Sequence, residues 1–148
     1  MLLIASSGGH IYEMMCLRAF WEGKDRYWVS FPTADAQYLL KDEPDVHWAA
    51  HPTVRNVPNL IRNTVLASRL LVRKRPDMIL TTGSGVAAPF LWLAALLRIP
   101  TVFVESITRI NEISLTARLV RPFVTTMLVQ WPGLQDRYPG VEYRGRIL

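Results

Sequence analysis

The chain has 148 residues, half of them apolar, a formal charge of +5 and a single cysteine. That length buries one full-sized core, and the composition excludes a disordered or low-complexity chain. One cysteine excludes an internal disulfide framework and suits a reducing compartment, while the modest basic excess favours an anionic partner.

Met1-Leu2-Leu3-Ile4-Ala5 reads as a buried strand, broken by Ser6-Ser7-Gly8-Gly9-His10. Apolar residues resume at helical spacing from Ile11 to a helix end near Gly23, with Cys16 as a small core residue. The apolar start is too short for a secretory signal and has no basic flank. Residues 26–31 form a second strand, 33–40 a short helix capped by Thr33, and 46–49 a third strand. Residues 56–74 make the clearest helix, with Pro58 in its first turn. Residues 78–81 form a fourth strand, followed by the loop Thr82-Gly83-Ser84-Gly85 and a helix over 86–97. That apolar helix is too short to span a bilayer and carries Pro89, so no transmembrane segment is expected. Strand 101–104 leads to Glu105, a helix over 111–120 ends at Pro122, and 126–129 is a sixth strand. A helical turn over 132–138 and an edge strand over 141–143 complete the pattern.

Strands alternating with helices predict an α/β fold: a Rossmann-like parallel sheet with helices on both faces, one domain over residues 1–148. In such a sheet each loop from strand to following helix opens at the carboxyl edge, where ligands bind. Residues 6–10, 82–85 and 105–109 therefore share one rim. Ser7, Gly8 and Gly9, with Gly83, Ser84 and Gly85, make two potential anion cradles at helix N-termini, a pair suited to a diphosphate. Arg109 adds a cation beside them. His10 and Glu105 are the candidate general bases, an imidazole and a carboxylate being the side chains most used to take a hydroxyl proton. Each has a plainer alternative: His10 capping its own helix, Glu105 ion-pairing with Arg109. Glu13, in a helix first turn, reads as structural.

Neither glycine loop matches G-x-G-x-x-G or a Walker loop, which argues against a dehydrogenase or a P-loop enzyme. His47 and His51 lack metal-ligand spacing, so no metal and no cofactor are expected on this chain. Arg62, Arg69 and Arg73 fall on one stripe of the 56–74 helix, among Leu60, Ile61, Val65, Leu66, Leu70 and Leu71. The stripe is either a solvated face or a surface for anionic lipid headgroups. Aromatic residues interleaved with the basic ones are absent, which disfavours nucleic acid.

Taken together, Ser6-Ser7-Gly8-Gly9-His10, Thr82-Gly83-Ser84-Gly85-Val86-Ala87, Val104-Glu105-Ser106, the 109–118 segment and Gln130-Trp131 resemble the Alg14 family. The likeness runs nearly end to end and is stronger to its bacterial capsule and exopolysaccharide branch (PssD- and CpsF-type proteins). The peptidoglycan transferase MurG is similar at the Gly-Gly-His loop and at a Glu after a comparable strand. The resemblance implies the acceptor-binding, N-terminal half of a split GT-B glycosyltransferase. It further implies a polyprenyl-diphosphate-linked sugar acceptor and a UDP-sugar donor held by a separate Alg13-like (PssE- or CpsG-type) chain. The membrane anchor of eukaryotic members is missing from this sequence, so a peripheral position on the cytoplasmic face of the cell membrane is expected. Two rival readings are a non-catalytic membrane-docking or activating subunit and a stand-alone nucleotide-binding domain.

Overall fold

The computed structural model describes residues 1–147. Its seven strands are β1 (Leu2–Ile4), β2 (Tyr27–Ser30), β3 (Val46–Trp48), β4 (Ile79–Thr81), β5 (Thr101–Val104), β6 (Thr126–Val129) and β7 (Glu142–Tyr143). They form one sheet in the order β3-β2-β1-β4-β5-β6-β7, with every neighbouring pair parallel. The order reverses between β1 and β4, where Leu2 pairs with Ile79 and Ile4 with Thr81. A crevice opens at this reversal, because the two flanking connections leave toward opposite faces.

The helices are α1 (Gly9–Cys16), α2 (Arg18–Trp21), α3 (Ala34–Leu39), α4 (Val57–Lys74), α5 (Ala87–Leu97), α6 (Leu115–Val120) and α7 (Pro132–Arg137). Side chains alternate across the sheet, and β1 divides them cleanly. Leu2 and Ile4 join Leu70 and Leu71 of α4, Phe90 and Leu91 of α5 and Ala117 of α6. Leu3 faces the other way, toward Ile11 and Met14 of α1, Trp21 of α2 and Ala36 of α3. Both faces of β1 are thus buried, which is why the strand reads as an uninterrupted apolar run.

Several boundaries depart from the sequence expectation. The first helix stops at Cys16 and restarts at Arg18, because the Met14 carbonyl accepts both the Leu17 amide (3.1 Å) and the Trp21 indole N–H (2.8 Å). Cys16 is exposed, not a core residue. Thr33 stands at the N-cap of α3 without a side-chain cap bond. Residues 111–114 are not helical: Ser114 caps α6, its hydroxyl accepting the Ala117 amide at 3.1 Å. The α-helix ends at Val120, before Pro122 as expected, and a 3-10 turn, Arg121–Phe123, follows it. On α4, Asn56 caps the helix through the Asn59 amide. Buried Asn63 meets both the amide and the carbonyl of Ala50, at 2.8 and 2.9 Å, and so pins the β3–α4 connection.

Candidate functional site

The three loops read from the sequence do meet at the carboxyl edge. The β1–α1 and β4–α5 loops are joined by two hydrogen bonds centred on His10. Its Nδ1 lies 2.7 Å from the Thr82 carbonyl oxygen, and the Thr82 hydroxyl donates to the His10 carbonyl at 2.6 Å. A carbonyl only accepts, so Nδ1 carries a proton, and in the neutral imidazole Nε2 is the nitrogen with the lone pair. His10 therefore does not cap its own helix. Its ring reaches across the switch point, and among the described residues nothing engages its Nε2, on a half-buried side chain.

The glycine at 83 follows from that ring. Gly83 has φ +100°, and a Cβ there would stand 3.4 Å from both His10 Cε1 and Phe103 Cζ. At Gly85 a Cβ would come within 2.9 Å of Thr53 Oγ1. Close packing of His10 and Thr53 explains these two glycines without an anion, and the Gly83 amide is already held by Thr81 Oγ1 at 3.1 Å. Gly8 (φ +68°) and Gly9 have nothing near their Cβ positions and are exposed, so the first loop is the open cradle. One of its donors is taken: the Gly8 amide donates to Asp35 Oδ2 at 2.6 Å. That bond holds the Asp35 carboxyl below the usual carboxylate range. Asp35 reaches Gly8 because α3 follows β2, the strand beside β1.

Glu105 is 1% exposed and stands behind the rim. Its two oxygens accept the Ser106 amide (3.0 Å) and the Ser114 amide (2.6 Å), so the carboxylate folds its own loop. The alternative ion pair with Arg109 is not formed among the described residues, and Arg109 is exposed. Glu13, read as structural in a helix first turn, is buried against the same loop. The useful signal was spacing: three residues after His10 lies on the same helix face. Nothing local marked Asp35, whose role depends on sheet order.

Arg62, Arg69 and Arg73 are exposed along α4 as expected. Leu70 and Leu71, expected beside them, belong to the core. Val57, Ile61, Val65 and Val72, exposed at 64%, 60%, 43% and 70%, form an outward ridge beside the arginines, with Leu60 exposed at 37% on its other side. No Asp or Glu occurs in α4, and among the described residues no helix is long and apolar enough to cross a membrane.

A doubly wound parallel sheet, with an open glycine loop and a tautomer-fixed imidazole at its switch point, defines a Rossmann-like domain of the GT-B type. Solved structures agree on the fold. Acinetobacter baumannii MurG superposes with a TM-score of 0.73 at 20% identity, over 96% of this chain and 43% of that one. A Staphylococcus aureus MnaA–UDP structure gives 0.72 at 12% identity, over 99% and 43%. The chain thus spans less than half of either structure. The family described as "Oligosaccharide biosynthesis protein Alg14 like" matches residues 49–147, and the chain belongs to it. The UDP-N-acetylglucosamine transferase subunit ALG14 of Rattus norvegicus is 28% identical over all of this chain and 82% of its own length. The subunit of the same name from Candida albicans is 25% identical over 99% and 77%. A Synechocystis N-acetylglucosamine transferase acting on pyrophosphoryl-undecaprenol is 29% identical over 71% of this chain and 33% of its length. None of these names carries a capsule or exopolysaccharide role.

Proposed function

We propose that this chain is the acceptor-binding subunit of a two-component inverting glycosyltransferase. It presents a polyprenyl-diphosphate-linked sugar to a UDP-sugar carried by a separate Alg13-like chain, in the synthesis of a surface polysaccharide. The observation that carries the reading is His10: its Nδ1 proton is committed to the Thr82 carbonyl, so in the neutral ring Nε2 is the proton acceptor, beside an exposed glycine loop. In this scheme the free amides at the α1 N-terminus, from Gly9 onward, take the diphosphate with help from Arg109 and Ser7. His10 Nε2 takes the proton of the acceptor hydroxyl. The hydroxyl oxygen then bonds to the anomeric carbon as the bond to UDP breaks, and UDP departs on the partner chain. Glu105 acts through the loop it folds. The relatives named as transferase subunits support the need for a second chain.

The α4 ridge and its arginines support a peripheral seat on an anionic membrane, with Val57, Ile61, Val65 and Val72 entering the interface. The test is sugar transfer to a lipid diphosphate acceptor by the co-expressed complex. His10→Ala is expected to lower kcat about 10²- to 10⁴-fold. Full activity in that variant would remove the base and favour the docking-subunit reading, whose sensitive variants are charge reversals at Arg62, Arg69 and Arg73. Full turnover of a UDP-sugar by this chain alone would overturn the split-enzyme reading.

A further inference from the structure

Glu13 is a buried charged residue that the scheme above does not use. It is 2% exposed, one helical turn after His10, yet among the described residues no lysine, arginine or histidine pairs with it. Burying a carboxylate without a cation is strongly unfavourable unless hydrogen bonds compensate. Two do, both from the far side of the sheet sequence: the Ser106 hydroxyl and the Ile107 amide each donate to Glu13 Oε1 at 2.9 Å. Oε2 is buried with no partner among the described residues, so a helix-stabilising role alone does not account for the side chain.

The other anchors of the 105–109 loop come from elsewhere. Glu105 folds the loop from within, the Gln130 amide donates to the Glu105 carbonyl at 3.1 Å, and the Trp131 indole donates to the Ile107 carbonyl at 2.6 Å. Of these side-chain anchors, only Glu13 ties the loop to the helix that carries His10. Thr108 and Arg109, just past the joint, are exposed on the rim. We propose that Glu13 is a positioning residue: it couples α1 to the β5–α6 loop, so that His10 Nε2 and the Thr108–Arg109 surface keep a fixed separation across a bound acceptor. It acts through Ser106 and Ile107 and touches no reacting atom. The part concerning acceptor rests on the function proposed above; the mechanical joint does not.

Hydrogen exchange on the full chain reads the joint directly. Glu13→Ala is expected to raise exchange of the 106–109 amides at least about tenfold, leaving β1 and β4 protected. Glu13→Gln retains a carbonyl oxygen for both donors and should restore most of that protection. In the active complex, Glu13→Ala should raise the acceptor KM about ten- to a hundredfold, with the Gln variant close to wild type. Should Glu13→Ala fail to fold, Ser106→Ala loosens the same joint from the other side and should raise both exchange and acceptor KM. Unchanged exchange over 106–109 in whichever of these variants folds would overturn the proposal. So would a Gln variant as inactive as Ala with its loop still protected, since the charge itself would then be at work. A wild-type complex with no transfer activity would sink the function reading, while the exchange result still decides the joint.

Discussion

At the scale of single residues, the site depends on contacts that a small change disturbs. Gly83 holds positive φ and faces the His10 ring at van der Waals distance. Gly83→Ala adds a Cβ in a conformation that L residues rarely adopt, at a cost of roughly 1–3 kcal/mol. It is expected to lower the thermal midpoint and also to push the imidazole, so that transfer falls by more than stability alone explains. Comparing both quantities with those of Gly133→Ala, where no neighbour lies within 4 Å, separates the two effects. Asp35 gives a pH signature. Its carboxyl is held low by the Gly8 amide, so the link contributes stability above the ordinary aspartate range near pH ~4, and that contribution is lost as pH falls through the lowered value. Melting curves of wild type and Asp35→Asn should therefore differ at neutral pH and converge once acidification, past the ordinary aspartate range, has protonated the Asp35 carboxyl. The same variant removes a negative charge beside the open cradle, so phosphate binding at neutral pH should strengthen.

At the scale of elements, polar side chains set where helices begin and how loops are carried. Ser114 starts α6 because its hydroxyl accepts the Ala117 amide and its own amide is claimed by Glu105. Ser114→Ala is expected to cost about 1 kcal/mol in urea unfolding. Asn63 acts at greater stake, since it satisfies both backbone groups of Ala50 inside the protein. Asn63→Leu is similar in volume but strands both groups, and a loss of about 2–5 kcal/mol is expected by the same measurement. The helices differ in what they leave outside. α5 is apolar around its circumference and buries Phe90, Leu91 and Ala94, whereas α4 buries one apolar face and exposes a second.

At the scale of the whole molecule, charge and apolar surface are unevenly shared. The ridge of α4 and its three arginines lie on the face opposite α1–α3, and the helix runs about 27 Å from the rim toward the amino edge of the sheet. A protein seated on a bilayer along this helix would keep the rim close to the lipid phosphates. Val65→Asp with Ile61→Asp should abolish sedimentation with anionic vesicles while leaving the fold intact, because both residues are exposed on the outward face of α4. Charge reversal of Arg62, Arg69 and Arg73 should weaken the same binding in a salt-dependent way. Binding unchanged by both sets would leave the ridge without a lipid partner.

Local sequence determined the order and type of nearly every element, because apolar runs of period 2 and 3.6 report burial directly. It also determined that three loops share one rim, since a parallel sheet sends all its strand-to-helix connections to the same edge. Residues 6–10 and 105–109 were legible as site loops for that reason. What only the tertiary structure decided were the partners across that edge: His10 with Thr82, Asp35 with Gly8, Glu13 with Ser106 and Ile107. It also decided that Glu105 folds its own loop rather than facing the rim, and that Gly83 and Gly85 make room for neighbours. These are contacts between residues up to 94 positions apart, with no periodic trace in the chain, and they come into being only when the sheet sets its strands side by side.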